Sequence, residues 1–246
     1  FSDIKIFFKS LTEKIFLCSA VAMAIESISQ KDTTLIICSF LPIPPLAIIG
    51  IDNLEDLKIK YSIENEKLKP DYFFLIPELI SGAPKKIKAS SGFDAISQAI
   101  ESLIAKKSNL KSIDFAKKSL KISLKYYLDF LKNPNQFNTS AMSLAANLSG
   151  KAISISKTTA PHAVSYPFTS VYNINHGHAV SLTLNEFLFF NYKNLKYAKC
   201  NFDLNKRYNI LFSLIDGKNF NDLDCCLLKL KNEANLESNF NKLGIN

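Results

Sequence analysis

The stretch SSGFDAISQAIES (90–102) decides how this chain is read. It lies within a segment, 85–107, whose apolar residues recur at three- and four-residue intervals, the period of a helix with one face against a core. Within it Asp94 and Gln98 stand one helical turn apart, so both side chains address the same region of space. The same periodicity continues downstream through 112–132 (which contains FAKKSLKISLKYYLDFLK), 138–157, 159–168, 178–192, 204–215 and 220–233. Breaks are expected where turn chemistry belongs, at Asn133–Pro134, Pro167 and Gly217. Upstream the texture differs. SAVAMAIESIS (19–29) has helical composition, whereas TTLIICSFLPI (33–43) and YFFLIP (72–77) are apolar runs bounded by turn-formers and read as strands. The expected fold is therefore an α/β unit over residues 1–80 followed by an all-helical domain over 81–246.

Composition narrows the function classes. Hydrophobic content of 47% and charged content of 21% suit a globular protein able to bury a core. The formal charge of +8 comes almost wholly from lysines that are scattered at helical spacing among apolar residues. That pattern describes solvated helix faces, so nucleic acid is not an expected partner. No apolar run reaches 18 residues, and no membrane span is expected. The five cysteines, Cys18, Cys38, Cys200, Cys225 and Cys226, have neither CxxC nor framework spacing. They read as reduced thiols of a cytoplasmic protein.

All three histidines, His162, His176 and His178, fall in PHAVSYPFTSVYNINHGHAVSLTLNEF (161–187). Two histidines with a carboxylate and an open coordination position form a common catalytic divalent site. Asp94 is a good ligand for such an ion, and a Gln98 carbonyl oxygen a weaker one. His176, in a turn-like Asn-His-Gly ahead of the helix at 178–192, has the freedom to reach a neighbouring helix. His178, two positions on, points elsewhere on regular backbone. A second reading stays open from residue type alone: packed histidines satisfied by backbone, and an Asp94 that compensates a helix dipole near an N-terminus.

The segments KPDYFFLIPELISGAPKKIKASSGFDAISQAIES (69–102) and SLAANLSGKAISISKTTAPHAVSYPFTSVYNINHGHAVSLTLNEFLFFN (143–191) resemble, in order and spacing, two signatures of the iron-dependent alcohol dehydrogenase family. The resemblance implies a dehydroquinate-synthase-like architecture: a dinucleotide-binding α/β domain, then a helical metal-binding domain. It implies Fe(II) or Zn held by Asp94, His162 and His176, with Gln98 where the family usually has a third histidine. Tyr166 stands in place of a histidine beside the nicotinamide and becomes the proton-relay residue. Lys157–Thr158–Thr159 replaces a common Gly-Leu-Gly run, a variant similar to the branch acting on phosphonate-bearing aldehydes, where Lys157 and Thr158 would hold an anionic tail.

The resemblance weakens upstream. A dinucleotide site wants a glycine-rich turn whose backbone N–H groups reach a pyrophosphate. This chain has seven glycines, and only Gly50 precedes Gly82. Ser19, Ala47, Gly50 and Lys60 are the cofactor-binding positions that the family pattern leaves. The expectation is an N-terminally incomplete, homodimeric enzyme that moves a hydride between NAD or NADP and a small primary alcohol or aldehyde. The alternatives are a non-catalytic metal-binding fragment and a dehydroquinate-synthase-like or glycerol-dehydrogenase-like activity.

Overall fold

The computed structural model describes residues 75–245. The helix expected at 19–29, the strand expected at 33–43, residues 72–74 of the strand expected at 72–77, and the cofactor-binding positions Ser19, Ala47, Gly50 and Lys60 lie outside those residues. Leu75 and Ile76 carry no regular element, and Pro77 leads into a one-turn helix, α1 (Glu78–Ser81). Seven longer helices follow: α2 (Lys85–Ile104), α3 (Leu110–Lys132), α4 (Gln136–Ser156), α5 (Ala160–Tyr172), α6 (His176–Lys193), α7 (Leu204–Leu214) and α8 (Phe220–Glu233). The described part is all-helical, as the periodicity predicts, and none of its helices is long and apolar enough to cross a membrane.

The helix starts are written locally. Asn109 and Asn135 each accept a bond from the backbone N–H three residues on, at 3.0 Å, and the N3 side chain returns the bond, which makes two capping boxes. Asp203 and Asn219 cap α7 and α8 in the same sense. Gly217 falls between α7 and α8, where a break is expected. Pro167 departs from expectation, because it lies inside α5 rather than at its end. It removes one intrahelical bond to Ala163, but Ala163 and Pro167 are both exposed, so water can serve the freed carbonyl. The helix ends instead at Asn173, which adopts the left-handed conformation (φ 53°).

Helix α2 is the axis of the domain. It packs against α3, α4 and α6 and touches α7, and every residue from Lys88 to Ile104 is buried. Helices buried all round are normally apolar on all faces, yet α2 buries Ser90, Asp94, Ser97, Gln98 and Glu101 along one stripe. Apolar faces on either side supply the core through Phe93, Ile96, Ile100 and Leu103, which meet Leu120, Tyr127, Phe130, Met142 and Leu184. Tyr127 spans the α2–α3 interface and donates its hydroxyl to Ala89 O at 2.7 Å, while burial pushes its pKa well above the ordinary phenol value. Removing that hydroxyl leaves the Ala89 carbonyl tied only within its helix, so Tyr127→Phe is expected to lower stability by about 1 kcal/mol in chemical denaturation.

Candidate metal centre

Three helices converge on the polar stripe of α2. Asp94 is the tenth residue of α2, mid-helix, and the dipole-compensation reading falls with that placement. His162 is the third residue of α5 and His176 the first of α6. His176 therefore belongs to the helix rather than to a turn ahead of it, and the close approach of α6 to α2 brings it to the site. That approach depends on Gly177, where a Cβ would stand 2.1 Å from Ser90 O and 2.6 Å from Asp94 Cβ. Ser90 also accepts the His178 backbone N–H at its Oγ, 3.0 Å away, so one serine of α2 serves an otherwise unpaired N–H in the first turn of α6.

The ligand-type atoms of Asp94, His162 and His176 all lie within 4.8 Å of one another. Asp94 Oδ1 stands 3.2 Å from His162 Nε2 and 3.9 Å from His176 Nε2. Atoms each about 2.1 Å from one ion can be no more than about 4.2 Å apart, and both contacts satisfy that limit. Asp94 Oδ1 and His162 Nε2 are buried, and neither has a hydrogen-bond partner among the described residues. The other ring nitrogen of His162, Nδ1, is hydrogen-bonded to Glu101 Oε1. A carboxylate only accepts, so Nδ1 carries the proton and the Nε2 lone pair is turned toward Asp94. His176 has a parallel arrangement, with Nδ1 3.5 Å from Ser165 Oγ and Nε2 on the Asp94 side. Two buried carboxylates and two neutral imidazoles sum to minus two, which one divalent cation cancels. The donor set fits such an ion.

Without a cation, burial disfavours the His162 imidazolium, but the Glu101 charge and hydrogen bond, with the Asp94 carboxylate 3.2 Å from Nε2, outweigh it and raise the pKa to about 10. At pH 7 a proton then occupies the place a metal needs. A raised pKa makes cation uptake proton-releasing, and the apparent affinity should climb about tenfold per pH unit between pH 7 and 9. Calorimetry of Zn(II) binding in buffers of different ionisation enthalpy checks this. Release of no proton at pH 7 would contradict it.

The remaining expected site residues are placed as follows. Gln98 is buried and stands one turn below Asp94, but its amide Nε2 donates to Asp94 Oδ2 at 3.2 Å while Oε1 accepts from Ser149 Oγ at 3.3 Å. In this arrangement Gln98 orients Asp94 and does not present its oxygen as a fourth ligand. Tyr166 is 57% exposed, one turn after His162, with its ring 5.9 Å from the His176 ring. Lys157 ends α4 with φ 63° and ψ 173°, a conformation close to glycine-only, at the position where the sequence pattern lost a glycine. Thr158 lies in the same α4–α5 connection, half-buried. His178 is structural: Nε2–H donates to Glu237 O at 2.7 Å, and burial lowers its pKa.

Sequence reasoning missed Glu101, Ser90 and Gly177. For Ser90 and Glu101 the signal was the α2 stripe itself, since Ser90, Asp94, Gln98 and Glu101 recur at helical spacing, whereas nothing in the α6 sequence marks Gly177 as a contact with α2.

Residues 88–246 match the Fe-containing alcohol dehydrogenase family, C-terminal. The chain is 30% identical over 135 residues to the phosphonoacetaldehyde reductase of Streptomyces viridochromogenes, covering 54% of this chain and 34% of that one. It is 25% identical over 185 residues to the 4-hydroxybutyrate dehydrogenase of Clostridium kluyveri, covering 74% and 50%. Among solved structures, the sulfoacetaldehyde reductase from Bifidobacterium kashiwanohense in complex with NAD+ superposes with a TM-score of 0.64 at 27% identity, over 75% of this chain and 47% of that one. The chain spans a third to a half of the length of these curated relatives. This protein belongs to the Fe-containing alcohol dehydrogenase family, whose helical C-terminal domain it carries.

Proposed function

We propose that the chain is part of a metal-dependent alcohol dehydrogenase or aldehyde reductase that interconverts a small primary alcohol and its aldehyde with NAD or NADP as hydride carrier. The observation that supports this most is the pair of buried atoms without hydrogen-bond partners, Asp94 Oδ1 and His162 Nε2, with His176 Nε2 beside them. Asp94, His162 and His176 hold a divalent cation, Fe(II) or Zn(II), which when bound polarises the substrate oxygen. Tyr166, exposed and next to His176, delivers or takes the alcohol proton. We assign dinucleotide binding to residues 1–80, with Ser19, Ala47, Gly50 and Lys60 as the cofactor-binding positions, and metal binding to residues 81–246.

Two of the relatives named above act on two-carbon aldehydes with an anionic tail, one a phosphonate and the other a sulfonate. Lys157 and Thr158 are the groups we assign to such a tail. Backbone strain at Lys157 supports the assignment, because a lysine kept in a glycine conformation costs about 1–3 kcal/mol and is expected to serve some purpose. Lys157→Gly should therefore raise the melting temperature while raising KM for phosphonoacetaldehyde about two- to fivefold and leaving KM for propionaldehyde unchanged. Equal KM shifts for both aldehydes would remove Lys157 from tail recognition.

The test of the whole reading combines turnover with calorimetry. The 246-residue chain loaded with Fe(II) or Zn(II) should oxidise NADH or NADPH in the presence of a small aldehyde. A second reading, a metal-binding piece without turnover of its own, is favoured if the loaded protein binds neither dinucleotide at millimolar concentration.

A further inference from the structure

Glu101 is fully buried and both of its oxygens are engaged. Oε1 accepts a hydrogen bond from the His162 Nδ1–H. Oε2 accepts from the Thr159 backbone N–H at 2.5 Å and from the Thr159 hydroxyl at 2.7 Å. Thr159 is the residue before α5, and its side chain makes no capping bond to its own helix. The first orphan donors of α5 are thus met from α2, by the same carboxylate that orients a residue in the first turn of α5. Rotating Glu101 to release one partner breaks the bond to the other. The loop 157–159 is held at one end by this carboxylate and at the other by Ser156, whose Oγ bonds Ser102 Oγ of α2 at 2.8 Å.

We propose that Glu101 is a positioning residue whose single carboxylate fixes the His162 ring, Nε2 outward to Asp94, and anchors the 157–159 loop, so that cation site and loop are placed by one group. The inference rests on the reading of Asp94, His162 and His176 as cation ligands. A carboxylate behind a ligating imidazole sets its tautomer and raises its basicity, and loss of such partners commonly weakens metal binding about 10–100-fold. Glutamine at this position puts an amide N–H₂ against either the His162 Nδ1–H or the two Thr159 donors, and one side must yield.

The experiment is a titration of the metal-free full chain with Co(II), followed by its visible absorption bands, for wild type, Glu101→Gln and Thr159→Val. Glu101→Gln is expected to weaken Co(II) binding about 10–100-fold with a changed band shape. Thr159→Val leaves the His162 contact in place and should stay within about threefold of wild type with an unchanged band shape, whatever it costs in melting temperature. A Glu101→Gln protein that binds as tightly as wild type overturns the inference, and so does equal weakening by both variants. A wild type that takes up no Co(II) overturns the metal reading and this inference together. Should Glu101→Gln fail to fold, the wild type decides: nitrogen NMR of the Zn(II)-loaded protein should find His162 with its proton on Nδ1. A proton on Nε2 overturns the proposal.

Discussion

Gly177→Ala is expected to unfold the site and much of the domain's stability with it. The added methyl would stand 2.1 Å from a backbone oxygen of α2 and 2.6 Å from the Asp94 β-carbon, and neither atom belongs to a flexible side-chain end. Relief requires α6 to back away from α2. That motion breaks the His178 N–H bond to Ser90 Oγ, opens the Leu184 and Leu188 contacts with the α2 core, and carries His176 off Asp94. Overpacking of this kind costs about 3 kcal/mol. At roughly 2–4 °C per kcal/mol, the melting temperature should fall by about 6–12 °C. Divalent-metal affinity should fall as well, even below the new melting temperature. A Gly177→Ala protein with unchanged thermal stability would show that α6 does not dock on α2 through this glycine.

Asp94→Ala and His176→Ala should each abolish stoichiometric metal binding, but only the first should destabilise the metal-free fold. Asp94 is buried and accepts from Gln98, so its removal leaves the buried Gln98 amide without that partner and costs about 1–3 kcal/mol. The His176 side chain is 37% exposed and touches Ser165 only at 3.5 Å, so its loss should leave the melting temperature of the metal-free protein nearly unchanged. Metal analysis of the purified proteins, with denaturation curves recorded after chelation, separates loss of a ligand from loss of the fold. Unchanged metal content in both variants would remove the site.

The helical domain was legible because its signals are local. Apolar spacing and the capping asparagines act within one or two turns, which is why the segments at 112–132, 178–192 and 220–233 fall close to α3, α6 and α8. Pro167 was misjudged because its cost depends on the surroundings of Ala163, whose carbonyl it leaves unbonded, and both residues are exposed. The candidate ligands Asp94, His162 and His176 were legible by residue type and by resemblance. Glu101 was not, because a glutamate at the end of an amphipathic segment ordinarily lies on a solvated face. Only the burial of α2 on every side turns it into a partner for His162.

The order of the amino acids determines where the helices start and stop, and which metal-binding side chains the chain owns. It also places Asp94, Gln98 and Glu101 on one stripe of a helix. Tertiary packing decided which atoms of that stripe meet the histidines. Helices α5 and α6 arrive some sixty to eighty residues later, at an inter-helix distance set by a missing Cβ at Gly177. Their register against α2 aims the Glu101 carboxylate at His162 and Thr159. Hydrogen-bond direction depends on angstrom-scale placement across an interface, and no periodicity within one segment encodes it.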